Sequence, residues 1–219
     1  MSNQYGPRIV TDGLICYLDA ANRKSYPGSG STWYDLSGNG NNGSFVGSAT
    51  THSFGINNGV MIFNKTTGSY IDIDLNLSTS NHTVIGASRY VSVGGRIISG
   101  KSNNWLLGHW DRSTQKYYSN SWVSNNNGTE FNGDLSWGIY TALGSYSTDQ
   151  WSFYVNDTLK VSNSASGANG PNGFSLGRWA MGNSEYSNSY LGFLMAYNRV
   201  LTDAEVKQNY NALKGRFGL

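Results

Sequence analysis

Turn residues interrupt this chain at nearly every step. From Gly13 to Tyr197, Gly, Asn or Asp recurs every few residues, and 28 Gly stand against only three Pro. Gly and Asn take up φ > 0 at little cost, so each cluster of them ends a regular element. What remains between clusters is short and aromatic-rich, as in Trp105-Leu-Leu-Gly-His-Trp110 or Trp151-Ser-Phe-Tyr-Val155. Such segments read as strands, and about ten or more of them in succession point to a sandwich rather than to βαβ units. The expected fold class is therefore all-β: a two-sheet antiparallel β-sandwich with a short C-terminal α-helix.

The strands expected from pattern run along the whole chain. Early ones are Gly13 to Asp19, Gly59 to Phe63, Ser69 to Ile73 and His82 to Val91. Arg96 to Ser99, Trp105 to Trp110, Lys116 to Val123 and Ser136 to Leu143 come next. Asn156-Asp157 separates Trp151 to Val155 from Thr158 to Val161 and reads as a two-residue hairpin turn. Gly173 to Leu176 and Tyr190 to Tyr197 close the series. The stretch from Ala20 to Thr32 reads as a loop, and Asp35 to Gly43 as a run of turns.

One helix is legible, over 203–214. Thr202 is its expected N-cap, and Glu205, three residues on, completes a capping box. Leu201 and Val206 are placed to form a hydrophobic staple across the cap. Val206, Tyr210 and Leu213 share one face, and Gly215 is expected to end the helix. Phe217 is expected to dock the tail.

Length and charge bound the rest. A chain of 219 residues without a composition break suits one domain. The division expected is an N-terminal arm over 1–12 and a single domain over 13–219. Net charge is +2 with only 13% charged residues, too sparse a basic footprint for a nucleic-acid partner. An aromatic content of 14% excludes disorder driven by polarity. Cys16 is alone, so no disulfide forms within one chain. The first residues carry no apolar signal-peptide core, and no apolar run is long enough to span a membrane. Synthesis in a cytoplasm, without membrane insertion, is the expectation. Tyr, Trp, Ser, Gly and Asn together make the composition of a recognition surface, better suited to sugars than to phosphates.

Three segments together carry a resemblance. They are Asp12 to Asn22 with Trp33-Tyr-Asp-Leu-Ser-Gly-Asn-Gly-Asn-Asn-Gly43, the hairpin Trp151 to Asp157, and Leu194 to Asn211. In this order they resemble laminin-G-like jelly rolls of the concanavalin A-like lectin/glucanase superfamily. The middle segment, Ser102 to Trp110 with Tyr117, Tyr118 and Trp122, and the ending Asn209 to Leu219 are similar to structural proteins of tailed-bacteriophage virions. The resemblance implies a jelly roll in a fibre, tail or capsid-surface component. Other virion proteins would be its partners, a host-surface polysaccharide its candidate ligand and a homo-oligomer its candidate assembly.

Each candidate site has a plainer role beside it. Strand alternation places Trp105, Leu107 and His109 on one face and Leu106, Gly108 and Trp110 on the other. Gly108 would let a partner approach its face closely. Trp110, Asp111 and Arg112 then sit at a strand end, with Tyr118 and Trp122 across from them, as a candidate sugar site. The plainer role for any of these rings is core filling. Asp35, Asn39 and Asn41 have the spacing of Ca²⁺ ligands, but Asx turns explain the same residues. No other cofactor is expected, and His52, His82 and His109 share no zinc-like spacing. Asp72 and Asp74 fall on one face roughly 7 Å apart. The flanking Glu residues of the superfamily's glucanases are missing, since Tyr70 and Asn76 stand there, so two solvent-facing carboxylates are the expectation. The expected function is a non-enzymatic virion surface or fibre module that binds host glycans. A purely structural decoration protein is the alternative, and a polysaccharide hydrolase the least supported reading.

Overall fold

The computed structural model describes residues 7–47, 51–111, 113–124, 135–164 and 168–219. Along the chain come β1 (Leu14–Asp19), β2 (Thr32–Trp33), β3 (Gly43–Val46), β4 (Thr51–Ser53) and β5 (Val60–Phe63). Next are β6 (Tyr70–Asn76), β7 (His82–Ser92), β8 (Ile98–Gly100), β9 (Trp105–Trp110) and β10 (Ser113–Ser119). The series ends with β11 (Gly138–Ser145), β12 (Gln150–Val155), β13 (Thr158–Asn163), β14 (Asn172–Leu176), β15 (Asn188–Tyr197) and the helix α1 (Asp203–Leu213).

The strands form two antiparallel sheets. An eight-stranded sheet has the order β13-β12-β11-β7-β15-β5-β4, with β1 also paired to β15. A seven-stranded sheet has the order β10-β9-β8-β14-β6-β3-β2. Between them lies the main core, where Trp33, Ile71, Ile73, Trp105, Leu107, Phe153, Phe174 and Leu194 pack. The all-β sandwich with one C-terminal helix is thus the architecture.

The two outer faces differ, and the difference decides where a site can be. β7 and β15 carry apolar residues on both sides. Val84, Leu194 and Ala196 enter the main core, while Ile85, Phe193, Met195 and Tyr197 enter a second cluster. Val10, Leu201, Val206 and Phe217 complete that cluster from outside the strands. A sheet buried on both faces needs such near-continuous apolar strands. The eight-stranded sheet is therefore covered by the helix and both described chain ends. The outer face of the seven-stranded sheet has the alternation of a half-buried sheet instead. Its register aligns Thr32, Ser44, Asp72, Ser175, Ser99, Leu106 and Tyr118 in one row across β2, β3, β6, β14, β8, β9 and β10.

The helix starts as its sequence requires. The Thr202 hydroxyl accepts from the Glu205 N–H, and the Glu205 carboxylate accepts from the Thr202 N–H at 2.9 Å. Leu201 and Val206 are both buried. The end differs from expectation: α1 stops at Leu213, and Gly215 lies inside a 3₁₀ turn over Lys214–Arg216 rather than terminating the helix. Phe217 docks as expected, its ring 4.6 Å from Trp137.

Residues 1–6 of the expected arm lie outside the described residues. The rest of the arm is pinned to the domain. Val10 donates its N–H to Asn209 Oδ1 at 2.8 Å, and its carbonyl accepts from Tyr197 Oη at 2.9 Å. Three short strands, β2, β3 and β4, add to those expected from pattern. Each is two to four residues long, too short to show an alternation in sequence. β10 begins at Ser113 and ends at Ser119, with a bulge at Gln115 (φ +59). Trp122 returns through an isolated bridge to Tyr118 instead of extending the strand to Val123.

Candidate functional site

Trp110 ends β9 and Tyr118 lies in β10, while the turn after β10 folds Trp122 back between them. The Trp122 ring is 5.2 Å from Trp110 and 5.0 Å from Tyr118, centroid to centroid. All three are half-buried, and none belongs to either apolar core. The bridge between Trp122 and Tyr118 is what brings rings from two strands and a turn into one group. Asp111 comes next in the chain at φ +52, exposed, and its carboxylate makes no hydrogen bond or ion pair among the described residues. Its backbone carbonyl accepts from Tyr90 Oη at 3.2 Å, which fixes the chain there. Arg112 lies outside the described residues.

The alternation along β9 holds for Trp105 and Leu107, which face the main core. Gly108 corrects the reading. Its φ is +89, and a Cβ at that position would lie 2.8 Å from Tyr140 Cδ2 of the opposite sheet. The space beside Gly108 is thus filled from inside by Tyr140, not open to a partner. The bulge opposite it in β10 carries the twist that lets this happen.

The turn between β14 and β15 is held over the middle of the polar row by two arginines. Arg178 lies 3.3 Å above the Tyr70 ring, donates Nε to Ser175 Oγ at 3.2 Å and faces Asp72 at 3.7 Å. Arg96 pairs with Glu185 at 2.6 Å and lies 4.8 Å above the Trp179 ring. Ser99 and Ser175 are fully buried beneath this turn. Sequence reasoning missed these arginines, because nothing local ties Arg96 to a carboxylate 89 residues away.

Asp72 and Asp74 do share one face, as their spacing requires. Asp74 pairs with Lys101 at 2.5 Å, and Asp72 lies 3.9 Å from the same ammonium. Ser175 Oγ donates to Asp72 at 2.7 Å. The expectation of two solvent-facing carboxylates is therefore corrected: the side chain of Asp74 is 87% exposed, but that of Asp72 only 15%. Lys101 and Arg178, from other elements, hold the pair in place.

The loop of Asp35, Asn39 and Asn41 is a latch. Asp35 Oδ1 accepts from the N–H of Tyr17 and of Ser37, each at 2.8 Å. Oδ2 accepts from Ser37 Oγ at 2.8 Å and from Asn41 N–H at 3.0 Å. Asn41 Nδ2 donates to the Ile15 carbonyl at 2.7 Å, and Asn39 Nδ2 to Ser37 Oγ at 3.0 Å. Four donors converge on one carboxylate, an arrangement that stitches the loop to β1 and opposes a cation at those oxygens. These bonds are the Asx-turn role that the sequence offers for Asp35, Asn39 and Asn41 beside the Ca²⁺ reading, and among the described residues no group of three or more His, Cys, Asp or Glu side chains is placed to hold a metal. Burial, with Asp35 nearby, pushes the Cys16 thiol beneath this loop far up.

No family model matches the chain, and no curated protein matches it in sequence. Solved structures share its fold. Domain 4 of AbnA, a GH43 extracellular arabinanase from Geobacillus stearothermophilus solved with arabinotriose, superposes with a TM-score of 0.64 at 18% identity, covering 90% of this chain and 98% of that one. The shared fold is the two-sheet antiparallel β-sandwich. The binding domain of Paraclostridial Mosquitocidal Protein 1 gives 0.64 at 17% identity, over 92% of this chain and 52% of that one. The Botulinum Neurotoxin Type G receptor-binding domain gives 0.58 at 18% identity, over 91% and 51%. This chain thus spans about half the length of the two toxin domains. At these identities the likeness is one of fold.

Proposed function

We propose that this sandwich is a non-enzymatic glycan-recognition module carried on the surface or a fibre of a virion. The observation that carries the glycan reading is the ring group of Trp110, Trp122 and Tyr118. It stands half-buried outside both cores, next in the chain to Asp111, whose carboxylate has no hydrogen-bond or ion-pair partner among the described residues. An indole face meets the C–H face of a sugar ring, and a carboxylate accepts from its hydroxyls. Fold likeness to toxin binding domains and to an arabinanase domain solved with arabinotriose supports the reading by analogy. The non-enzymatic part is supported by Asp72 and Asp74, both committed to Lys101 or Arg178. The virion part is supported by the resemblance of Ser102 to Trp110, with Tyr117, Tyr118 and Trp122, and of the ending Asn209 to Leu219 to structural proteins of tailed-bacteriophage virions. Other virion proteins would then be its partners.

Each contact with a single sugar is weak, so one domain should bind at about 0.1–1 mM and gain avidity from many copies. A multimerised form of the domain on a glycan array tests this. Signal on a defined set of glycans is expected, with release of no reducing ends from them. A blank array overturns the glycan reading. Mass spectrometry of purified particles should find the chain, and its absence there would overturn the virion reading.

A further inference from the structure

A second feature lies on the same outer face, at the other end of β9. Lys101 precedes that strand and Trp110 ends it, so the two are separated by roughly 17 Å or more along its axis. Around Lys101 are two adjoining depressions of about 330 and 110 Å³, which share Asp74 and Lys101. The larger is lined by Asn41, Asn42, Ser44 and Asp72, and the smaller by Ser102 and Asn172. The larger volume is of the order of a small-ligand pocket, about 300 Å³ and above.

We propose that this groove is a second sugar subsite, built for a neutral polyhydroxylated ligand. The claim rests on the glycan reading above and adds a separate place and ligand class to it. Three properties of the groove carry the claim. The first is fixed polar groups. Asp72 is held from the neighbouring strand by Ser175 Oγ at 2.7 Å and by Arg178, and Asp74 is braced by Lys101 at 2.5 Å. A group that is already oriented loses little freedom on binding. The second is unspent capacity. Asn42 accepts from Asp35 N–H through Oδ1, which leaves its NH₂ group uncommitted, and Ser44 Oγ and the Asn172 side-chain amide make no hydrogen bond among the described residues. Both donors and acceptors thus line the hollow, as hydroxyls of a sugar require.

The third property is charge. The lining holds two carboxylates and one ammonium, and Arg178 stands 3.7 Å from Asp72, so the charges balance and both cations are already engaged. No cation is left over to pair with a uronate, sialic acid or phosphate, while the remaining lone pairs of the two carboxylates give adjacent hydroxyls of a neutral sugar two acceptors. The same lining disfavours a metal ion, because Lys101 and Arg178 already engage the carboxylates. An aromatic site and a polar site at opposite ends of one strand suit a polysaccharide chain or two branches of one glycan.

Amide-resolved NMR titration of the whole chain tests the groove. The probes are maltotriose, arabinotriose and galactotriose, with trigalacturonate as the anionic counterpart, each at about 10 mM. The expected result is movement of the Asn42, Ser44 and Lys101 amide signals with at least one neutral trisaccharide, and none with trigalacturonate. Asp74→Ala, at an exposed position, should weaken that response roughly tenfold or more while leaving the Trp110 and Trp122 indole signals as they are. Still groove signals with all neutral probes, an equal response to trigalacturonate, or an unchanged Asp74→Ala titration would each overturn the proposal. Indole shifts without groove shifts would reject the groove alone, whereas silence at both places would reject the glycan reading itself.

Discussion

Arg216 and Asp19 meet through a 2.5 Å ion pair although 197 residues separate them. The guanidinium also donates to the carbonyls of Asn57 at 2.8 Å, Gly192 at 3.0 Å and Gly59. One side chain from the last residues thus ties down the end of β1, the turn before β5 and the middle of β15. Both partners are largely buried, with side chains 11% and 13% exposed. Removing one member of such a pair leaves the other charge buried and unpaired.

Arg216→Met should therefore destabilise the domain by about 3–5 kcal/mol in urea unfolding. A loss under about 1 kcal/mol would show that the pair sits in solvent-like surroundings.

The helix cap should be worth less. Thr202→Ala is expected to cost about 1 kcal/mol, read by the same unfolding experiment. Glu205 adds a pH signature. Hydrogen bonds from Arg199, then from the Thr202 backbone, hold its carboxyl down to about 2 from 4.5. The unfolded chain thus takes up this proton first, and the stabilisation is full above about pH 4.5 and lost as pH falls towards 2. Glu205→Gln should flatten that part of the acid limb, and an unchanged limb would contradict the assignment.

His82 governs a higher window. Burial pushes it from 6.5 down to about 4, against the upward pull of its 2.8 Å contact with the Ser80 carbonyl. Between those values protons bind the unfolded chain in preference, so stability falls as pH falls from about 6.5 to about 4. His52 shifts the same way, mainly through burial. Urea midpoints measured across it should drop in the wild type and drop less in His82→Gln. Equal slopes in both would refute the role of His82.

Much of the fold is legible in the sequence because its signals are local. The capping box at Thr202 and Glu205, the bounds Trp105 to Trp110, and the Asn156 turn (φ +59) depend on residues within a few positions of each other. The ring group is legible for the same reason, as Trp110, Tyr118 and Trp122 belong to neighbouring strands and the turn beside them. The groove is not. Its walls come from β3, β6 and the residues after β8, and only the register of Ser44 with Asp72 and of Asp72 with Ser175 joins them. Gly108 defeats a reading by alternation because a positive φ and a bulge reverse the pattern on which that reading depends. Arg216 carries no signal, since all four of its acceptors lie far away in sequence.

The Asp35 latch leads to a prediction about metal. Thermal melts with Ca²⁺ and with chelator should coincide, because four donors already occupy the carboxylate. Asp35→Ala should cost about 2 kcal/mol by freeing the loop from β1. A Ca²⁺-dependent rise in Tm would reinstate the metal, since a ligand of the native state must stabilise it.

The central claim is that the ring group beside Asp111 binds sugar. It is tested most directly by comparing wild type and Trp110→Ala, both multimerised, against the strongest glycan from an array, with thermal melts in parallel. Trp110 lies in neither core, so the variant should keep a melt close to wild type while losing roughly tenfold or more in apparent affinity. Wild-type binding should also change little between low and high salt, because a neutral sugar offers no charge to screen. Undiminished binding by Trp110→Ala would contradict the account, as would a loss of about 3–5 kcal/mol in stability, which would mark Trp110 as a core residue.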